Sequence, residues 1–397
     1  MREYQYRFYA PTRIYGGAGA IEHLLPEIQK YGNKVLMVFD KNTASATGIY
    51  DYVTKLFKDN GIQWWEFDGV EPNPRLSNVI AAAKIGKANG AEVVLAIGGG
   101  SVIDCSKAIS ASVFYDDLDD YDGLWAWGAS GKDITKTLPL IDICTMASTG
   151  SEMDSGAVIT NEHTHQKGGA FHGDLFAPKV SILDPKYTYS VPKRQVAAGV
   201  ADIFIHTSEM YIGKNDGNFL IDGFAESVMK TCVKYGAIAL ADPTNFEARL
   251  NLQWAAPWSI NGLSSAGRTS GPTLHGLQHP MGAFHDIIHG QGLAIIMPRW
   301  MRYILDTNED TVNAIAKLGT NVFGVDASLS KHEQAEKAIE AVEDFFFNQL
   351  QIPTTLSAIG MDDSHFDEMA EMAARGARMM FVPLTKEQIV DIYRASL

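Results

Sequence analysis

The sequence predicts an α/β domain built on a parallel sheet, followed by an all-α domain, and three observations carry this. First, short apolar runs, KVLMVF at 34–39, EVVLAI at 92–97 and the stretch from Leu138 to Thr145, alternate with helical patterns in the first half of the chain. Strands alternating with helices are the pattern of a parallel sheet with crossover helices. Second, EVVLAI runs directly into Gly98-Gly99-Gly100-Ser101 and a helical stretch over Val102–Ser112. Third, strand signals stop beyond about Pro192, and amphipathic helical runs such as Glu333–Leu350 take over. The boundary falls at 185–195, giving domains of 1–190 and 191–397.

Taken in order, the glycines at 16, 17 and 19 precede an amphipathic helix over Ala20–Tyr31. Lys34–Phe39 is a buried strand because its run is apolar and β-branched. Thr47–Asn60 reads as helix and Gln63–Phe67 as a second strand. The Pro-bounded turn Pro72–Pro74 starts a helix that ends at Gly90. Tyr115–Trp127 is acidic and aromatic and reads as loop. The strand at Leu138–Thr145 leads into the small-residue turn Ala147–Glu152. Val158–Asn161 and Val180–Leu183 are short strands around a polar excursion.

The 397 residues are 46% apolar, enough for two domains with real cores. The formal net charge of −14 argues against nucleic acid as a partner. Cys105, Cys144 and Cys232 show no paired spacing, which fits a reducing compartment. No secretory signal is read at the N-terminus, and no run of eighteen apolar residues occurs. A cytoplasmic protein away from membranes is the expectation.

The glycine loop is a phosphate cradle in physical terms. Glycine lets the backbone approach a ligand, and the following helix offers N–H groups and the positive end of its dipole. The loop matches neither the G-x-G-x-x-G fingerprint nor the P-loop, and an ordinary glycine-rich turn is the competing reading. Asp40, at the end of an early strand, has two roles open to it. One is a helix cap or turn residue. The other is acceptor of a ribose hydroxyl, which would favour NAD over NADP because a carboxylate repels a 2′-phosphate.

The stretch LHGLQHPMGAFHDIIHGQGLA at 274–294 holds four of the eleven histidines: His275, His279, His285 and His289. In one straight helix, His275 and His289 would lie about 21 Å apart along the axis. Pro280 and Gly282 are expected to bend the segment and bring its ends together. Taken singly, each histidine is more often a helix cap or core filler than a ligand, and the four together shift the balance. Upstream, Asp202 and His206 are spaced i, i+4, which puts them on one helix face. One aspartate with three histidines suits a divalent transition metal.

GGGSVIDCSK at 98–107, TMASTGSEMDSGAVIT at 145–160, GVADIFIHTSE at 199–209 and HGLQHPMGAFHDIIHG at 275–290 together resemble the iron-containing, group III alcohol dehydrogenases over essentially the whole chain. The butanol dehydrogenase-like branch is the most similar. The resemblance implies a dehydroquinate synthase-like fold, with an N-terminal dinucleotide-binding α/β domain and a C-terminal helical metal-binding domain. It implies metal ligands Asp202, His206, His275 and His289, with His279 a catalytic histidine beside the metal and His285 a bystander. It implies cofactor contacts at Asn73, Gly98, Gly99, Gly100, Ser101, Asp104, Thr145, Ser148, Thr149 and Lys167, to which Asp40 is added. Asp104 and Lys107 have a second reading as a local ion pair or as helix-surface charges.

The activity implied is reversible hydride transfer between a nicotinamide and small primary alcohols or aldehydes. A metal, Fe2+ with Zn2+ as runner-up, would polarise the substrate oxygen. The branch usually carries GGGS where this chain has Asp40-Lys41-Asn42-Thr43, a glycine turn that accommodates NADP(H). Asp40 points instead to NAD(H), and the Lys41 ammonium is read as able to offset part of the repulsion. A homodimer is the expected assembly. Two rival readings are a metal- and NAD-dependent lyase or cyclase of the dehydroquinate synthase type, and a non-enzymatic metal- or nucleotide-binding protein. The first needs a basic pocket for a polyanion, and Arg268 is the one such residue near the histidine motif.

Overall fold

The computed structural model describes residues 6–214, 218–376 and 379–397, apart from the side chain of Lys41, which lies outside the described residues. The chain forms two compact units, Tyr9–Val191 and Pro192–Leu397, the second joined by the residues up to Phe8.

The first unit is organised by strands β1 (Arg13–Gly16), β2 (Lys34–Phe39), β3 (Gln63–Phe67), β4 (Val93–Gly98), β5 (Leu140–Cys144), β6 (Ala157–Asn161), β7 (Gln166–Ala170) and β8 (Val180–Leu183). Six of them make a fully parallel sheet in the order β1-β8-β5-β4-β2-β3. The central strand β4 is apolar throughout because both faces are covered, while its neighbour β5 carries the buried Asp142. Leu36, Val38, Val94 and Ala96 enter one core, while Val35, Met37, Phe39, Val93, Leu95 and Ile97 enter the other. The polar excursion after Asn161 contains β7, which pairs back on β6 as a separate antiparallel ribbon. Helices α1 (Leu24–Ile28), α2 (Lys41–Ala46), α3 (Ile49–Asp59), α4 (Leu76–Asn89), α5 (Gly100–Ser112) and α6 (Tyr121–Ser130) complete the unit.

Two local expectations change. Within Ala20–Tyr31 a 3-10 turn over Ala20–His23 precedes the short α1, and Pro26 stands at its third residue, where no N–H is required. Tyr115–Trp127 is not all loop: α6 starts within it, because the Asp120 side chain accepts the Gly123 N–H at 2.9 Å and caps a helix that its aromatic residues obscured.

In the second unit no strand occurs among the described residues. Its helices are α7 (Lys193–Tyr211), α8 (Phe219–Ala241), α9 (Phe246–Ile260), α10 (Leu274–His285), α11 (His289–Leu305), α12 (Glu309–Leu318), α13 (Lys331–Glu343), α14 (Phe366–Ala374) and α15 (Lys386–Arg394). Helix α7 is the hub and is buried nearly all round, packing on α8, α9 and α11. No helix among the described residues is long and apolar enough to cross a membrane.

Pro280 and Gly282 do not break the histidine segment, contrary to expectation. Both lie inside α10. The turn comes at Asp286, in the left-handed conformation at φ 49°, with its N–H donating to Gly282 O at 3.2 Å. Ile288 then re-enters extended backbone as the cap before α11. A non-glycine residue in this conformation is uncommon, so little in the local residues marks the break.

Candidate metal centre and dinucleotide site

Asp202 and His206 sit one turn apart on α7, and His275 and His289 open α10 and α11. Gly290 lets α11 begin hard against α7, since any side chain there would run into the backbone carbonyl of Ala198. Ala198 is one turn before Asp202, so this backbone contact delivers His289 to the carboxylate.

The Asp202 Oδ1 lies 3.6 Å from His275 Nε2, 3.6 Å from His289 Nε2 and 3.4 Å from His206 Nδ1. Two ligand atoms held about 2.1 Å from one ion at the tetrahedral angle would be ~3.4 Å apart. Asp202, His275 and His289 thus offer atoms at ligand–ligand spacing, all within 4.8 Å of one another. His206 is not in that mutually close set; its ring stacks on His275 with centroids 4.1 Å apart. The His275 Nε2 and His206 Nδ1 are buried without a hydrogen-bond partner among the described residues.

Electrostatics give the same answer. Burial alone would raise the Asp202 pKa, but the imidazoles of His206, His289 and His275 outweigh it and hold the carboxylate far below its usual range. Burial opposes a charge on His275, yet Glu209 and Asp202 push its pKa up to about 10. Burial, with the charge of His275, lowers His206 to about 4. The cluster therefore calls for positive charge at one point, supplied by a proton or by a metal ion shared among the residues. The donor set fits a divalent metal.

His279 is one turn along α10 from His275, its ring centroid 6.0 Å from that of His275 and 5.7 Å from that of His289. His285 is turned elsewhere, to His365, with centroids 5.8 Å apart. Two residues at this site were missed by sequence reasoning. Glu209 bonds to His275 Nδ1 through Oε1, and its Oε2 accepts the backbone N–H groups of Leu274 at 2.9 Å and His275 at 3.3 Å. Gln278 bonds to His289 Nδ1 through Oε1. Glu209 closes the quoted GVADIFIHTSE motif, and Gln278 lies inside the histidine motif, but nothing local marks either as a partner of a ring nitrogen.

In the first unit, the strand order reverses between β2 and β4: the chain moves outward from β2 to β3, then returns to the other side. Open parallel sheets bind ligands outside the carboxyl ends of their strands at such a point. Asp40, the glycine loop and Thr145 follow the ends of three adjacent strands there, with Phe39 opposite Ile97 and Gly98 opposite Cys144. Gly98 ends β4, Gly99 caps α5, and Gly100 and Ser101 open it. A side chain at Gly100 would collide with Thr149, so only glycine allows the loop to lie on that turn. The Thr145 N–H donates to Gly98 O at 3.0 Å, and the Thr149 Oγ1 accepts the Ser151 N–H at 3.2 Å. Ser148 lies on the same turn, half-buried. Asn73 and Lys167 are brought together, Lys167 Nζ donating to Asn73 Oδ1 at 2.6 Å.

Asp40 does cap α2, accepting the Thr43 N–H at 2.9 Å through Oδ1, while Oδ2 takes no hydrogen bond among the described residues. The Asp104 carboxylate accepts from Ser151 Oγ and from the Val158 N–H at 2.8 Å, so both oxygens tie α5 to neighbouring backbone and side chain. Lys107 is neither a surface charge nor a direct partner of Asp104. It is fully buried and donates to Asp154 and, at 2.8 Å, to Gly156 O.

The fold and the two clusters define a metal- and dinucleotide-using α/β–helical protein. Residues 11–185 match the sequence model of the iron-containing alcohol dehydrogenases, and 196–397 match that of the Fe-containing alcohol dehydrogenase family C-terminal domain. The chain belongs to the iron-containing alcohol dehydrogenase family, and it is an NAD(P)-dependent oxidoreductase. It is 42% identical to NADH-dependent butanol dehydrogenase A of Clostridium acetobutylicum, over 97% of this chain and 98% of that one. It is 36% identical to an NADPH-dependent aldehyde reductase of Escherichia coli, over 90% of both chains. The crystal structure of NADH-dependent butanol dehydrogenase A from Thermotoga maritima superposes with a TM-score of 0.89 at 31% identity, covering 99% of this chain and 98% of that one.

Proposed function

We propose that this enzyme interconverts short primary aldehydes and alcohols with NAD(H), and that Asp202, His206, His275 and His289 hold the metal. The convergence of His275 Nε2 and His289 Nε2 on Asp202 Oδ1 carries the reading. A divalent ion bound there supplies Lewis acidity toward a substrate oxygen, with Fe2+ preferred and Zn2+ the runner-up. The residues do the rest. Asp202 contributes the one carboxylate of the set, which leaves a divalent ion electrophilic. His279, beside the ligands but spaced from them, is assigned the proton exchange with the substrate oxygen.

The dinucleotide is assigned to the glycine loop, with its pyrophosphate at the start of α5, Thr145, Ser148 and Thr149 around it, and Asn73 with Lys167 as further contacts. Asp104 acts in this reading through Ser151 and Val158. Asp40 Oδ2 is assigned to the ribose hydroxyls. NADH is favoured over NADPH, in keeping with the butanol dehydrogenases at 42% identity, which are named NADH-dependent; this runs against the NADP expectation for the branch. The division of labour follows domains of 1–190 and 191–397. The enzyme is placed in the cytoplasm as a homodimer.

A polyanion-using lyase is disfavoured because Arg268 is already committed, bonding to Asp222 at 2.6 Å and to Ser264 O at 2.8 Å. The test is NADH and NADPH oxidation with butyraldehyde on protein loaded separately with Fe2+ and Zn2+. Turnover with NADH in one loaded form is expected. Metal and NADH binding without turnover on any short aldehyde would refute the assignment.

A further inference from the structure

We propose that Glu209 and Gln278 are positioning residues that give two metal-ligating histidines unequal donor strength, a carboxylate backing His275 and a neutral amide backing His289. The inference rests on the ligand assignment above.

Each residue holds the Nδ1 side of one imidazole, which leaves the Nε2 side facing Asp202. A ring that donates its Nδ1–H must present a lone pair at Nε2, so both contacts select the tautomer that can ligate. The partners differ in charge. A carboxylate behind an imidazole raises its basicity and its strength as a ligand, and an amide does so far less. With Glu209 counted, the charge of a divalent ion is balanced by two carboxylates, Asp202 directly and Glu209 through a ring. A second backing carboxylate would make the site negative and weaken the pull on a substrate oxygen. Gln278 avoids that, and at a cost: its Nε2 is buried with no hydrogen-bond partner among the described residues. A buried, unmet donor is tolerated here because the residue is used for its oxygen.

Glu209 also has a structural duty, since its Oε2 accepts the first two N–H groups of α10. An amide at 209 has one acceptor where the carboxylate has two. Glu209→Gln must therefore leave either the helix start or the His275 ring without its acceptor. Gln278→Glu disturbs no helix end, and so separates the electronic role from the structural one.

The experiment measures Zn2+ affinity by competition with a chromophoric chelator, together with the visible absorption of the Co2+-loaded protein. The proteins are the parent, Glu209→Gln, Gln278→Glu and His275→Ala. Glu209→Gln should weaken Zn2+ about 10- to 100-fold, and Gln278→Glu should tighten it by roughly tenfold. The Co2+ bands should shift in both. If Glu209→Gln lowers the Tm of the metal-stripped protein yet leaves Zn2+ affinity unchanged, Glu209 is a helix cap only and the inference is overturned. Should Glu209→Gln not fold, Gln278→Glu decides alone, and unchanged or weaker Zn2+ binding in it overturns the inference. Full Zn2+ retention in His275→Ala would instead remove the ligand assignment itself.

Discussion

Two groups of buried carboxylates, one in each unit, have opposite fates. In the helical unit Asp202 is surrounded by imidazoles and is held charged, far below its usual pKa. In the α/β unit Asp142, in the middle of β5, and Glu152, on the turn that follows β5, have Lys107 as the nearby cation, and Lys107 is committed to Asp154 and Gly156. Burial raises the Asp142 pKa well above its usual value and that of Glu152 from 4.5 to about 7. Desolvation acts on both groups. The groups that face each carboxylate decide which way it goes. A carboxylate kept charged by several shared imidazoles is ready for a metal ion. One left to burial takes up a proton and serves packing.

The largest expected effect tests the first half of this contrast. His275→Ala or His289→Ala should abolish metal retention, whereas His285→Ala should leave it intact, because His285 is turned to His365. Metal analysis of the three purified variants checks this, and equal loss in all three would dissolve the distinction.

A third carboxylate, Asp40, is half-buried and has one oxygen engaged by its own helix. It is expected to act by repulsion. Two unit charges about 4 Å apart repel by about 1 kcal/mol in bulk water and about 4 kcal/mol at an effective dielectric of 20. The parent should therefore prefer NADH to NADPH by roughly tenfold to a few hundredfold in kcat/KM. Asp40→Gly should shrink or reverse the ratio, since it removes both the charge and the cap. Steady-state kinetics with both coenzymes decides, and an unchanged ratio would take Asp40 away from the ribose.

The smallest effect tests the second half of the contrast. Glu152 has a raised pKa in the folded protein, so the fold favours its protonated form. Its contribution to stability is fully present below about pH 4.5 and is lost as the pH rises through about 7, because the unfolded chain ionises first. Glu152→Gln should flatten that slope and raise the Tm at pH 8 by a few °C. Thermal unfolding between pH 5 and 8 measures it. A slope identical to the parent's would show that Glu152 is paired rather than left to burial.

Much of this molecule was legible in its residues. The runs at β2, β4 and β5 and the glycine loop between β4 and α5 reveal themselves because β-branched apolar strings and glycine turns are local signals. The spacing of Asp202 and His206, and the crowding of histidines at 275–289, are local in the same sense, as are the motifs that carry the family resemblance. Tertiary structure decided the pairings. Glu209 reaches His275 across 66 positions and Lys167 reaches Asn73 across 94, and no periodicity marks partners at such distances. The turn that joins α10 to α11 fell at Asp286 rather than at Pro280, because the packing of α11 on α7 through Gly290 fixes where the chain must reverse. Lys107 has an ordinary place in a helix, and its burial follows only from the turn carrying Asp154 folding over it. Local sequence sets which backbone conformations are cheap. Which polar groups meet, and so which carboxylate keeps its charge, is set by what the packed chain places around each one.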